Sequence, residues 1–194
     1  MADPFHPDVS GPEKADMAVA RAVSPYRNTP VVRAISHFAK LGDQPPLMTV
    51  SSAVLGIGLL TGNKRLARAG LRMIAANSLA LVAKNFVKER VDRTRPELLI
   101  REGRYEMRPG TSDDHAKRSF PSGHSACATA TTRAFAREYP EYGQPAKAAS
   151  SLIALSQVPR GTHYPTDVVA GSVIGFLAEW AVDKLLPRRR KKPD

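Results

Sequence analysis

Two histidines stand in sequence contexts that favour binding and reacting with an anion. The first, His124, lies in the segment Ser-Phe-Pro-Ser-Gly-His-Ser over residues 119–125. Pro121 and Ser122 are typical of a helix start, where free backbone N–H groups and a partial positive charge bind anions. Gly123 lets a ligand approach the backbone closely, and a histidine beside that ligand can carry a proton near neutral pH. The alternative is a capped helix with an incidental histidine.

The second histidine, His163, precedes Asp167 by four residues in the segment Gly-Thr-His-Tyr-Pro-Thr-Asp. Thr166 suits the N-cap of the last helix. A turn at this place lets the carboxylate accept a hydrogen bond from one ring nitrogen, which fixes the tautomer and leaves the other nitrogen free to attack. A capped helix with a surface His–Asp pair is the alternative.

A third cluster, Lys-Glu-Arg-Val-Asp-Arg-Thr-Arg-Pro, begins at Lys88 and ends at Pro96. Pro96 cannot continue a helix, so the cluster closes one helix and enters a loop. Lys88 and Arg95 can converge on one anion, and the planar fork of arginine suits phosphate oxygens. Taken alone, the cluster is equally typical of a basic helix end that offsets the helix dipole.

Apolar periodicity and the near absence of strand signals predict an all-α fold of about five to six helices. After a first helix from Val31, the apolar segments start near Leu47, Met73, Pro121, Ala146 and Val168. If these helices run up and down, the three clusters fall at the same end of the bundle. We expect a flexible tail over residues 1–20, one helical domain over 21–187 and a basic tail over 188–194.

The apolar segments also indicate a protein embedded in a membrane. Leu47–Thr61 is the most apolar stretch, and no charge occurs between Asp43 and Lys64. About 20 residues span a bilayer, whereas the other segments have about 11 to 13 uncharged residues, a length common in buried core helices. The positive-inside rule favours a multi-pass inner-membrane protein with its C-terminus in the cytoplasm; a soluble form is the alternative.

Composition narrows the classes of partner. The net charge of +11 arises partly from the basic run Arg188–Lys192, which is typical of a solvated or membrane-surface tail. Aromatic residues do not interleave with the basic ones, so we expect no nucleic-acid partner. The single cysteine, Cys127, excludes an intramolecular disulfide and a cysteine-rich metal site.

In these three clusters the sequence resembles the type 2 phosphatidic acid phosphatase superfamily, which includes lipid phosphatases, bacterial acid phosphatases and vanadium haloperoxidases. Lys88, Arg95 and Pro96 match the family's first motif of Lys, six residues and Arg-Pro. Residues 121–124 match its second motif, Pro-Ser-Gly-His. The third motif, Ser-Arg, five residues, His, three residues and Asp, is matched at Ser156, His163 and Asp167.

One departure concerns the arginine of the third motif, which in the family contacts phosphate. This chain has Gln157 at that position, and Arg160 follows three residues later on nearly the same helix face. We expect Gln157 to lie at the phosphate site and Arg160, or a loop arginine such as Arg118, to supply the missing charge.

The resemblance implies a phosphatase that acts on a lipid-linked or small phosphate ester without a metal or other cofactor. It implies phosphate binding by Lys88, Arg95, Ser122 and Gly123. It further implies attack by His163, orientation of that ring by Asp167, and proton transfer by His124. A catalytically weak relative, because of Gln157, and a vanadate-dependent haloperoxidase are the alternatives. The sequence does not name the leaving group or the oligomeric state.

Overall fold

Eight α-helices and one small two-stranded sheet make up the regular structure of the computed structural model, which describes residues 9–186. The helices are α1 Gly11–Val23, α2 Pro30–Ala39, α3 Gln44–Leu60, α4 Lys64–Lys88, α5 Pro96–Glu102, α6 Gly123–Glu138, α7 Gly143–Ser156 and α8 Pro165–Leu185. Strands β1 Val91–Arg93 and β2 Met107–Pro109 pair antiparallel, with Asp92 opposite Arg108. The predicted all-α class is confirmed.

The centre of the bundle is built from α4, α6 and α8, which meet through small side chains. Their shared core contains Met73, Val182 and five buried alanines; the alanines are Ala76, Ala80, Ala130, Ala134 and Ala178. Short side chains let the helix backbones approach closely, and this close packing fixes the positions of the three helices relative to each other. Helices α3 and α7 pack on the outside of this centre.

Two glycines of α8 bring its first turns directly against α6. A Cβ on Gly171 would lie 2.2 Å from the carbonyl oxygen of Ser122, and one on Gly175 would lie 2.2 Å from that of Ala126. No other residue fits there without moving a backbone. This close approach sets the starts of α6 and α8 side by side, and both histidines stand at these starts.

The N-terminal region is more ordered than the sequence predicts. The expected flexible tail over residues 1–20 is wrong from Gly11 onward, because α1 begins there after Ser10 and packs on the bundle. Met17 and Ala20 are buried beside Leu99 and Tyr164. The helical domain therefore begins ahead of residue 21, whereas the predicted basic tail over 188–194 lies outside the described residues.

The clearest candidate membrane span is α4 rather than the predicted stretch 47–61. Among residues 9–186, α4 is the one helix long and apolar enough to cross a bilayer: it has 25 residues, and an 18-residue stretch of it has a mean hydropathy of 1.3. Helix α3 has 17 residues and ends at Leu60, two residues before Gly62, whose φ of 67° is left-handed. Many large hydrophobic side chains on α3, α4, α7 and α8 are exposed, including Ile57, Leu60, Val82, Phe86, Leu155 and Val169.

Buried ion pairs hold the opposite end of the bundle, away from the histidines. Arg72 of α4 lies 2.8 Å from Glu138 of α6 and 3.0 Å from Asp183 of α8. The carboxylate of Glu179 pairs with Arg133 and Arg137 of α6. The carboxylates of Glu138, Glu179 and Asp183 all pair with arginines, so this end differs from the cationic end that carries the histidines.

Candidate active site

Backbone hydrogen bonds join the three sequence clusters at one end of the bundle. The N–H of Ser122 donates to the carbonyl of Asp167 across 3.0 Å and thereby links the starts of α6 and α8. The N–H of Ser119 donates to the carbonyl of Arg93 across 3.0 Å, which ties the first cluster to the second. The predicted convergence of the clusters is therefore found in the fold.

Both histidines line one cavity of about 360 Å³ at this end. Six of the nine predicted site residues line it, namely Lys88, Arg95, Gly123, His124, Arg160 and His163. The cavity has a size suited to a phosphate group with part of its ester. Its polar lining comes from the starts of α3 and α6, from α4, from the loops after β1 and β2, and from the connection between α7 and α8.

His163 is buried, with 3% of its surface exposed, and Asp167 is completely buried behind it. The Nδ1 atom of His163 lies 3.6 Å from Oδ2 of Asp167, an ion-pair distance slightly longer than a hydrogen bond. Burial lowers the pKa of His163 to about 4, although the Asp167 carboxylate opposes that shift. The ring is therefore neutral at physiological pH, and its Nε2 is the nitrogen directed away from Asp167.

Asp167 is itself held by a buried network that the sequence motifs do not contain. Its Oδ1 accepts a 2.6 Å hydrogen bond from Arg93, and its Oδ2 accepts from Ser119 Oγ across 2.5 Å and from the N–H of Tyr164 across 2.9 Å. These donors fix the carboxylate in one orientation and favour its ionised form. Asp167 therefore has little freedom to move away from His163.

Arg93 is the centre of that network. Its guanidinium is almost fully buried and pairs with two carboxylates, Asp167 at 2.6 Å and Asp16 of α1 at 2.7 Å. Asp16 also accepts hydrogen bonds from the backbone N–H and the hydroxyl of Thr166. Thr166 was predicted to be the N-cap of α8, but the cap is Tyr164, and the hydroxyl of Thr166 serves Asp16 and Arg93 instead.

Arg95 is positioned by three backbone carbonyls. It donates to His115 across 2.9 Å, to Thr162 across 3.0 Å and to Arg118 across 3.4 Å. These contacts hold the planar guanidinium at the cavity wall, and burial lowers its pKa while leaving it protonated.

His124 contacts an acidic residue from outside the motifs. Its Nε2 lies 2.5 Å from Oδ1 of Asp43, which immediately precedes α3. Burial lowers the pKa of His124, and the Asp43 carboxylate is the largest influence that opposes this shift. His124 stands at the second residue of α6, at the mouth of the bundle, so its ring reaches the same cavity as His163.

Ser122 and Gln157 do not line the cavity. Ser122 is buried as the N-cap of α6, where its hydroxyl accepts from the N–H of Ser125 across 3.4 Å. Gln157 is fully buried, and its amide donates to the carbonyl of Ile153 and accepts from the hydroxyl of Thr162. Arg160, whose Nη1 lies 3.5 Å from Oε1 of Gln157, does line the cavity.

Sequence reasoning missed several cavity residues. Lys84 lies one helical turn before Lys88, so the spacing of four residues could have placed it on the same face. Its Nζ lies 3.6 Å from the Cβ position of Gly123, at the start of α6. Neither lysine forms an ion pair within residues 9–186. The contact of Asp43 with His124 has no signal in the sequence, because Asp43 belongs to no motif.

Metal ligands do not cluster in the described part of the chain. Within residues 9–186, no group of three or more His, Cys, Asp or Glu side chains could hold a metal ion. The positive field of the cavity comes from protein cations and from the helix start at Gly123.

The sequence matches one known protein family over the region that forms this site. The model of the PAP2 superfamily matches residues 67–191, which contain all three clusters. The chain belongs to this superfamily.

The PAP2 relatives in sequence are lipid A 1-phosphatases. The chain is 36% identical to the one from Rhizobium johnstonii over 91 residues, which cover 47% of this chain and 37% of that protein. It is 30% identical to the one from Porphyromonas gingivalis over 83 residues, covering 41% and 19%. The chain thus aligns with less than two fifths of the length of these relatives.

Two solved structures share the fold. A transmembrane PAP2 type phosphatidylglycerolphosphate phosphatase from Bacillus subtilis superposes with a TM-score of 0.68 at 23% identity, covering 94% of this chain and 91% of that one. LpxE from Aquifex aeolicus gives a TM-score of 0.61 at 20% identity, covering 91% and 97%. The PAP2 fold therefore extends over nearly the whole chain, including α1 to α3 ahead of the matched family region.

Proposed function

We propose that this chain is a phosphatase that hydrolyses a lipid-linked phosphate ester through a phosphohistidine intermediate on His163. The observation that carries the proposal is the shared cavity. Two histidines, 39 positions apart in sequence, line one cationic pocket, and a fully buried carboxylate stands behind one of them. This arrangement supplies a nucleophile, its orienting group and a proton donor around a single anion.

In the first half of the reaction, Nε2 of His163 attacks phosphorus in line with the leaving oxygen. The P–N bond forms as the P–O bond breaks, and the leaving alkoxide takes a proton from His124. Asp167 holds the imidazole and stabilises the charge that develops on it. General acid help of this kind contributes about a hundredfold to ten-thousandfold in rate.

In the second half, His124 acts as the base. It removes a proton from water, whose oxygen attacks phosphorus and releases His163 with inorganic phosphate. Throughout both halves, Lys84, Lys88, Arg95 and Arg160 face the phosphoryl oxygens, together with the backbone N–H groups at Gly123. These groups stabilise the charge on the equatorial oxygens, which is the main task in phosphoryl transfer. We infer that Arg160 and Lys84 replace the charge of the family arginine, because Gln157 is buried.

The apolar surface of the helices supports a lipid as the substrate. Leu60 and Val82 are 90% and 65% exposed on α3 and α4, and α8 exposes Val169 and Phe176. Exposed apolar surface of this extent is costly in water and favourable against lipid. The sequence relatives are lipid A 1-phosphatases and the fold neighbour acts on phosphatidylglycerolphosphate, so both act on lipids that carry phosphate.

We further propose that the chain lies in the inner membrane with several helices inserted and its C-terminus in the cytoplasm. The apolar helix α4 and the basic residues 188–192 of the sequence support this orientation. The catalytic cavity then faces the opposite side, at the end of α4 that carries Lys88.

Phosphate release from a panel of esters tests the function. We expect detergent-solubilised protein to release phosphate from phosphatidic acid, phosphatidylglycerolphosphate, lipid A or an isoprenoid phosphate, in the presence of EDTA, and His163→Ala to abolish the release. No release from any lipid or soluble ester by wild type would favour the alternative of an inactive relative. Halide oxidation with added vanadate, in the absence of phosphate release, would favour the haloperoxidase alternative.

A further inference from the structure

Asp43 is an acidic residue in a cavity built for an anion. In the described part of the chain, four cations line that cavity, Lys84, Lys88, Arg95 and Arg160, and Asp43 is the one carboxylate that lines it. A carboxylate repels a phosphate ester, so Asp43 weakens substrate binding. A contribution of Asp43 to the reaction would offset that loss.

The side chain of Asp43 is directed at His124 rather than at its own helix. Asp43 occupies the N-cap position of α3, where aspartate commonly accepts hydrogen bonds from the first turn, yet its side chain makes no capping hydrogen bond. Instead its Oδ1 lies 2.5 Å from Nε2 of His124. The carboxylate is 44% exposed and the histidine side chain 24% exposed, so both reach the open cavity.

The backbone holds Asp43 in that place. A Cβ on the preceding Gly42 would lie 2.4 Å from Cγ2 of Ile153, so the chain is packed directly against α7. The N–H of Asp43 donates to the carbonyl of Lys40 across 3.0 Å, and its carbonyl accepts from the N–H of Leu47 across 3.2 Å. The contact with His124 therefore comes from a rigid part of the fold.

We propose that Asp43 is the positioning residue of the proton donor, holding His124 by Nε2 and sustaining its protonated form. The inference rests on the proposed phosphatase function. In the free protein the carboxylate keeps a proton on Nε2, the nitrogen that faces the cavity. When an ester binds, its leaving oxygen approaches the same N–H, the N–H bond breaks and an O–H bond forms as the P–O bond breaks. Water later returns a proton to Nε2 and restores the pair with Asp43.

The other charged groups around His124 act against its protonation. Arg160 reaches it from the connection between α7 and α8, and Arg95 from the loop after β1. Lys84 and Lys88 of α4, His115 and His163 line the same cavity. Among residues 9–186, Asp43 at the start of α3 is the one group of opposite charge that lines the cavity, so it offsets burial and these cations.

Asp43→Asn tests the inference because it removes the charge and keeps the shape. The readouts are the pH dependence of kcat/KM and the activity on two soluble esters, an aryl phosphate with a good leaving group and an alkyl phosphate with a poor one. We expect the alkaline limb to move to lower pH. We also expect the alkyl ester to lose at least about tenfold more activity than the aryl ester, because only a poor leaving group requires the proton.

Inhibition by inorganic phosphate provides an independent readout. Without the repelling carboxylate, the inhibition constant should stay the same or fall. The inference is overturned if the variant slows both esters equally, leaves the alkaline limb in place and weakens phosphate binding, since that pattern shows a merely structural residue. Glu141→Gln is the matched control: it removes an exposed carboxylate that pairs with Arg65 at the opposite end, and all readouts should match wild type.

Histidine-selective NMR in detergent separates this inference from the proposed function. The ring of His124, assigned from the spectrum of His124→Gln, should titrate at lower pH in Asp43→Asn than in wild type, whether or not the protein is active. An unchanged titration refutes the role of Asp43, even in an active phosphatase. If the titration shifts in Asp43→Asn but the wild-type protein releases no phosphate, the result supports the pair and refutes the proposed function.

Discussion

Arg93 donates a 2.6 Å hydrogen bond to Asp167 while its other Nη atom pairs with Asp16, so one buried cation joins two buried carboxylates. This contact connects α1 and β1 to the start of α8. It explains how a region far from the family's third motif orients the carboxylate behind His163.

Removing Arg93 should unfold or strongly destabilise the protein. Arg93→Ala leaves Asp16 and Asp167 buried without their cation, and breaking a buried pair in this way costs about 3–5 kcal/mol. Denaturant or thermal unfolding in detergent measures the change. Adding Asp16→Asn should recover part of the loss, because one uncompensated carboxylate is then absent. If Arg93→Ala unfolds like wild type, the network does not support the site.

Asp167→Asn should lower turnover with little effect on substrate binding. The amide keeps the shape of the carboxylate but neither fixes the same tautomer of His163 nor stabilises charge on the ring. We expect kcat to fall about a hundredfold or more, the range of general acid–base assistance. Steady-state kinetics at saturating substrate measure it, with KM as the internal control. An unchanged kcat would show that His163 needs no orienting carboxylate.

The pH dependence of kcat/KM should be bell-shaped with its maximum on the acid side of neutrality. His163 must be neutral to attack, and because burial lowers its pKa to about 4, activity falls only as the pH drops towards that value. His124 must be protonated, and because burial lowers its pKa from the ordinary 6.5, activity falls as the pH rises past that lowered value. The two apparent pKa values of the profile belong to His124 and His163 together, because the two rings share one cavity. A maximum well above neutrality would contradict these assignments.

Arg160→Ala and Lys84→Ala should each raise KM about tenfold or more, since each removes a charge-assisted contact with phosphate. Wild type and variants are compared on one soluble ester, with inorganic phosphate as a competing ligand. Lys147→Ala, an exposed lysine of α7 outside the cavity, is the control for loss of positive charge. If neither variant weakens phosphate binding, the charge of the missing family arginine is not replaced by these residues.

Gly171→Ala should reduce activity and stability together. The new methyl group would lie 2.2 Å from the carbonyl of Ser122, so α8 must move away from α6 and the two histidines must separate. Overpacking of this kind costs about 1–3 kcal/mol. Gly56→Ala is the matched control, because its methyl group meets nothing within 4 Å in the middle of α3. If the two variants have equal activity and stability, the close approach of α8 to α6 is not needed.

The sequence predicts the helical class and the meeting of both histidines because these depend on local signals. Apolar periodicity marks the helices, and motifs at helix ends mark the site. Helix bounds are less predictable: the segment was expected to start near Met73, yet α4 begins at Lys64, because Asn63 accepts a hydrogen bond from the N–H of Leu66 and caps the helix.

What the sequence could not predict depends on contacts between distant segments. Asp16 lies in a stretch whose proline, glycine and charges indicate a flexible tail, and only its pairing with Arg93 makes it part of the structure. Asp43 and Gln157 also depend on contacts outside their own helices. Asp43 contacts His124 of α6, and Gln157 is turned inward by its hydrogen bond with Thr162. No pattern within a single segment encodes such partners.

Trapping of the phosphoryl group on His163 tests the central claim most directly. Protein is mixed with a ³²P-labelled ester, quenched in alkaline detergent within one turnover and digested, and the labelled peptide is sequenced. We predict an alkali-stable, acid-labile label on His163 in wild type, accumulation of that label in a variant such as His124→Gln when an aryl ester is used, and no label in His163→Ala. Rapid phosphate release with no label on any histidine, or release that persists in His163→Ala, would contradict the account.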